Sequence, residues 1–174
     1  MENQFKDYRY IIEQIQDYAI LLLDKNGIIN DWNKGAEKIK GYKAQKIIGK
    51  HFRVFYTAND RENNLPEQLI AKAIANGSAS HEGYRMRKDG TTFWGSIVIT
   101  AIFDQQNNLT GFLKITRDLT DKKELEEKLK KLTAGLEQQI IERTAELQKQ
   151  FKETTDYKYA INESTIVAIT DQRG

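Results

Sequence analysis

Apolar and polar positions divide the chain into a helical head, a strand-rich middle and a long helical tail. At the head, Phe5, Tyr8, Ile12, Ile15 and Tyr18 recur at steps of three and four and so share one helix face. This predicts an amphipathic cap helix over 1–17, packed on its own domain or on a second copy. Ala19-Ile20-Leu21-Leu22-Leu23 is a short apolar run closed by Asp24-Lys25-Asn26-Gly27, a strand with a hairpin turn. Ile28 to Trp32 returns as the second strand. Asn33 is placed to cap a short helix from Lys34 to Lys40, which Gly41 ends. Lys43 to Ile48 offers another helical turn. The aromatic-rich His51 to Tyr56 precedes Thr57-Ala58-Asn59-Asp60, a cap-like cluster. Asn64-Leu65-Pro66-Glu67 starts a longer helix, with Pro in the first turn and a side-chain acceptor three residues before Glu67. That helix runs to Asn76, stops at Gly77, and buries Leu69, Ile70, Ala73 and Ile74.

Residues 82–120 read as three strands. The first ends in the turn Lys88-Asp89-Gly90, where Gly90 supplies positive φ. The second, Thr91 to about Phe103, is rich in β-branched and aromatic residues. Asp104 to Asn108 is a polar loop, and the third strand spans Leu109 to about Asp118. Two early strands and three late ones meet in one antiparallel sheet, and short helices cover one face. The class is α+β, in a domain of about 100 residues.

A helical pattern without Pro starts at Thr120 and runs to about Tyr159. Glu124, Glu126 and Glu127 each stand four residues before a lysine, the favourable order. The apolar positions are Leu125, Leu129, Leu132, Leu136, Ile140, Leu147 and Phe151. Leu125, Leu136 and Leu147 keep an 11-residue interval, as do Leu129, Ile140 and Phe151, which predicts a straight to slightly right-handed coil. The stripe has nothing in this chain to pack on, so a second copy is its expected partner, in a parallel dimer. Beyond it, Ser164 to Gly174 repeats the pattern of Asp17 to Gly27, a short apolar strand closed by Asp-x-x-Gly. Residues 161–174 are therefore expected to open a second copy of the first domain, as in a tandem array.

Composition narrows the class. Hydrophobic residues make up 39% and charged residues 30%, which suits one modest core. The net charge of +2 leaves no argument for nucleic acid. No apolar run approaches the ~20 residues needed to span a bilayer, and the polar start lacks a signal core, so a cytoplasmic location is expected. With no cysteine there is no disulfide, thiol catalysis or thiolate metal site.

Several stretches together resemble the PAS family. Trp32-Asn33-Lys34-Gly35-Ala36-Glu37 with Gly41-Tyr42 looks like the signature after its second strand, and Arg87 to Trp94 looks like its central hairpin. Thr116-Arg117-Asp118-Leu119-Thr120 resembles the Asp-Ile-Thr signature joining a PAS sheet to its output helix, with Leu119 in place of Ile. Glu142 to Leu147 resembles the signalling linkers of bacterial sensor histidine kinases. The resemblance implies a PAS fold: a five-stranded antiparallel sheet in the order 2-1-5-4-3, short helices on one face, a cap helix at 1–17, the sensory domain at 18–119, and a coiled-coil helix at 120–160. It implies a sensory module of a two-component phosphorelay, relaying a signal through a parallel coiled coil to an output domain, most naturally a histidine kinase. The alternatives are a ligand-free dimerisation and relay module of a tandem PAS array, or the PAS domain of a diguanylate cyclase or other output enzyme. Its partners are a second copy, neighbouring PAS and kinase domains, and a small-molecule ligand. Asp118 and Thr120 are the expected transmission residues, with Asp118 tied to Arg117 or to the Arg87-Lys88 turn.

No catalytic site is expected in this chain. It lacks a Gly-rich phosphate loop, a metal-ligand cluster and a nucleophile paired with His and a carboxylate. His51 and His81 stand alone, outside any phospho-acceptor motif. The absent cysteine excludes a flavin adduct of the light-sensing LOV type. Haem-binding members take their axial His from the longer helix, which has none here, so haem is disfavoured and the cofactor stays unknown. A pocket between sheet and helices has Phe52, Phe55, Leu69, Ile74, Phe93, Ile97 and Ile99 as its candidate lining. The same residues simply filling a small core is the favoured outcome.

Overall fold

The computed structural model describes the backbone of residues 9–171 and the side chains of residues 9–161. Residues 9–14 are helical (α1). β1 (Tyr18–Asp24), β2 (Ile29–Trp32), α2 (Lys34–Lys40), α3 (Ala44–Ile47), a 3₁₀ turn (Phe52–Phe55), α4 (Ala58–Glu62) and α5 (Leu65–Asn76) follow. Then come β3 (Ser78–Met86), β4 (Thr92–Phe103), β5 (Leu109–Asp118) and α6 (Thr120–Asp171). The sheet domain ends at Glu124, and α6 from Leu125 onward is a separate unit.

The five strands pair antiparallel throughout in the order β2-β1-β5-β4-β3. This is the order the resemblance implies. The β1–β2 turn is held by Asp24, whose Oδ1 accepts from the backbone N–H groups of Asn26 and Ile28, both at 2.8 Å. Gly27 takes φ 80 there, a conformation open to glycine. In the β4–β5 loop Asp104 plays the same part for Gln106 and Asn108, with Asn107 left-handed at φ 63.

Asn33 closes the head of the domain. Its Oδ1 accepts from the N–H of Ala36, the expected cap of α2, and from that of Ile20. Its Nδ2 donates to the carbonyls of Ile12, Ile15 and Tyr18. Gly35 makes this approach possible, since a Cβ there would sit 2.1 Å from the Tyr18 carbonyl oxygen. Phe5 and Tyr8 of the expected cap stripe lie outside the described residues.

Three expectations need correction. α5 does begin at Leu65 with Pro66 in its first turn, but Asn64 is left-handed at φ 53 and its side chain caps nothing. A side-chain cap needs extended backbone at that position. Ile74 is 44% exposed, because the buried arc of α5 is centred on Pro66, Leu69 and Ala73. The strand expected from Ser164 is helix as far as Asp171, and 172–174 lie outside the described residues. A strand is not stable on its own, whereas a helix under way satisfies each further N–H within itself.

Candidate functional site

The site is built where the last strand becomes the long helix. Asp118 Oδ1 accepts from the backbone N–H of Thr120 at 3.0 Å and from its hydroxyl at 2.7 Å. Thr120 Oγ1 in turn accepts from the Trp94 N–H at 3.0 Å, and the Leu119 N–H donates to the Trp94 carbonyl at 2.8 Å. The start of α6 is thus pinned to β4 as well as to its own strand. Asp118 Oδ2 meets Arg87 Nη2 at 2.5 Å, with both side chains about a quarter exposed. Of the candidate basic partners, Arg87 is the one that pairs with Asp118. Arg117 lies over Tyr18 instead, 5.6 Å from the ring centroid. Burial pushes the Asp118 carboxyl up, but the hydrogen bonds from Thr120 and Arg87 outweigh it and hold it below its ordinary value.

Arg87 also reaches inward. Its Nη1 donates to the Ile39 carbonyl at the end of α2, and its guanidinium covers Phe93 at 4.4 Å. The N–H of Lys88 donates to the Lys40 carbonyl at 3.0 Å. In the first turn of α6, Lys123 Nζ sits 3.2 Å from the centre of a Trp94 ring, and Tyr84 meets Trp94 edge to face. One hairpin therefore holds both the end of α2 and the start of α6.

Six of the seven candidate lining residues lie in one buried cluster. Phe52, Phe55, Leu69, Phe93, Ile97 and Ile99 are all buried together, while Ile74 faces solvent. Charge shares this interior. Lys40, Arg85 and Lys114 have no exposed surface, and Thr116 is buried beside them. Lys114 Nζ donates to Thr116 Oγ1 at 3.3 Å. Arg85 meets Asp60 at 3.4 Å, the Tyr84 carbonyl at 2.6 Å and His81 Nδ1 at 2.8 Å. Lys40 Nζ, Arg85 Nε and Tyr56 Oη have no hydrogen-bond partner among the described residues. Burial, with Arg85 and Arg87 nearby, pulls Lys40 down to about 7, although Asp118 opposes the shift. Burial, with Lys40 and Arg85, lowers Lys114 well below the ordinary lysine value. Sequence reading missed these groups. The available signal was alternation on β5, which places Lys114 and Thr116 on the same face as Phe112.

The seven stripe residues of α6 are all exposed, from 51% at Leu136 to 75% at Phe151. His51 Nδ1 accepts from the Arg53 N–H, and His81 is held by Arg85.

Comparison with known proteins gives a consistent result. A family profile described as PAS domain matches residues 17–121. The chain is 44% identical over 119 residues to two-component system protein A of Emericella nidulans, covering 68% of this chain. It is 24% identical over 140 residues to sporulation kinase C of Bacillus subtilis and 26% identical over 117 residues to sensor protein TdiS of Thauera aromatica. It spans only 17%, 32% and 21% of these three proteins. Among solved structures, the PAS domain of a protein from Colwellia psychrerythraea superposes with a TM-score of 0.63 at 27% identity. That match covers 68% of this chain and 98% of the other.

Proposed function

The chain belongs to the PAS family, and from that premise we propose that it is a sensory module that passes a signal through α6 to an output domain of a longer protein. A histidine kinase is the output its relatives favour, since they are named as a sporulation kinase, a sensor protein and a two-component system protein. The observation that carries the reading is the junction itself. Asp118 is shared between Arg87 on the sheet and Thr120 on the helix, so any shift of the hairpin changes what holds the start of α6. The exposed stripe from Leu125 to Phe151 supports a parallel homodimer as the carrier. A cytoplasmic setting fits a helix-borne relay of this kind.

The test is Asp118→Ala and Thr120→Ala in the full-length protein. A partly exposed pair of this sort contributes ~0–1 kcal/mol net. Both variants should therefore keep the sheet domain folded, with melting temperatures within about 5 °C of the parent. Basal output should shift and the response to signal should weaken. Output lost only in step with folding would show that the junction serves stability alone.

A further inference from the structure

We infer that the interior of the sheet domain is an anion site taking a small carboxylate, held by Lys40, Arg85 and Lys114 with Tyr56 as a neutral donor. The argument starts from charge. Three fully buried basic side chains share one core, and Asp60 at 3.4 Å from Arg85 is the one carboxylate in contact with any of them among the described residues. Asp118 acts on Lys40 but is already paired with Arg87. A buried ion without a partner of opposite sign carries a large desolvation cost. The lysines can relieve it by losing a proton; Arg85, which cannot, has Asp60 beside it.

The three converge from separate elements. Lys40 ends α2, Arg85 lies on β3 and Lys114 on β5. Aromatic rings stand against their charged ends. Lys40 Nζ is 4.4 Å from the Phe55 centroid and 5.2 Å from that of Phe93. Arg85 lies 4.3 Å over Tyr56, and Lys114 Nζ is 5.7 Å from the same ring. Such contacts offset part of the cost, yet Lys40 Nζ, Arg85 Nε and Tyr56 Oη keep donors that nothing accepts among the described residues. The paired glycines Gly83 and Gly95 form a floor beneath Arg85. A Cβ at Gly83 would lie 3.2 Å from Arg85 Nη1, and one at Gly95 3.2 Å from its Cγ. Two ammonium groups, a guanidinium edge and a phenol suit carboxylate oxygens, and the surrounding rings suit an apolar body. A small organic acid has both parts.

This inference rests on the sensory reading for its consequence: Lys40 adjoins the Ile39 carbonyl that Arg87 holds, so an acid drawing on Lys40 acts beside the α6 junction. Binding itself is tested on this chain and relay on the full-length protein, so the two can fail separately. The experiment is thermal melting in sodium succinate, sodium benzoate and sodium phosphate, each against sodium chloride at equal ionic strength. At least one carboxylate should give a saturable rise in melting temperature. Lys114→Met should melt no lower than the unsubstituted chain without added acid, because the desolvation cost of a buried amine is gone. Its carboxylate affinity should fall at least tenfold, and Lys40→Met should behave likewise. A response to phosphate alone, no carboxylate response, or unchanged affinity in both variants overturns the proposal. Loss of folding in both variants overturns it as well, since the cations would then serve the fold.

Discussion

Asn33 uses both ends of its amide, and the head of the domain depends on it. Its oxygen caps α2 and takes the N–H of Ile20, while its nitrogen serves the carbonyls of Ile12, Ile15 and Tyr18. Asn33→Ala leaves several of these groups unsatisfied, at an expected cost of about 2–4 kcal/mol. Thermal melting should fall by on the order of 10 °C. A fall under about 2 °C would show that water replaces the amide at no cost. Lys40 makes a second case at this scale. Below about 7 its ammonium is charged in both folded and unfolded chains, and folding bears the full desolvation cost. Between about 7 and the ordinary 10.5 only the unfolded chain holds the proton, so stability rises with pH there. Burial sets the lower limit of that window, with Arg85 and Arg87 pushing it further down and Asp118 opposing them, and Lys114 contributes with the same sign. Lys40→Met should raise stability at pH 7 and flatten the rise, whose slope is at most about 1.4 kcal/mol per pH unit for each lysine. Urea melts at pH 7 and pH 9.5 check this, and an unchanged slope counts against a buried charged Lys40. The cap role of Asn33 was legible from its place after a strand. Lys40, Arg85 and Lys114 were not, because a lone basic residue reads as a surface residue until the alternation of its strand or its helix face is followed through.

Elements with local signals came out where the sequence put them. Asp-x-x-Gly gave the first hairpin, Asn33 and Gly41 bounded α2, and Gly90 turned β3 into β4. Ile74 failed because a step of 100° beyond Ala73 carries it off the narrow buried arc of α5. The end of α6 failed because a strand depends on distant partners that a local pattern does not report, whereas a helix continues from its own preceding turn. Along α6 itself, Leu136 and Ile140 are 51% and 65% exposed on a stripe with an 11-residue interval. Replacing both by Asp places four carboxylates in the seam of a parallel dimer. Light scattering should find the unsubstituted chain dimeric and the double variant a folded monomer. A dimer that survives the change, or an unsubstituted chain already monomeric at high concentration, removes α6 as the seam.

For the whole molecule, a relay needs only a small bias. A difference of 1.4 kcal/mol between two arrangements is a tenfold change in population. In the relay proposed above, the Arg87–Asp118 contact, partly exposed and at the scale of ~0–1 kcal/mol, supplies a bias of that order without holding the fold. Trp94 gives the exit from the sheet an optical signature. Its backbone takes part in the pinning of Thr120 and Leu119, and its indole lies against the Lys123 ammonium. Trp32, the other of the two tryptophans, is buried with its indole N–H on the Tyr42 carbonyl. The emission of one indole is thus set by the core and that of the other by the first turn of α6, so intrinsic fluorescence separates a change at the exit from a change in the fold without any attached dye.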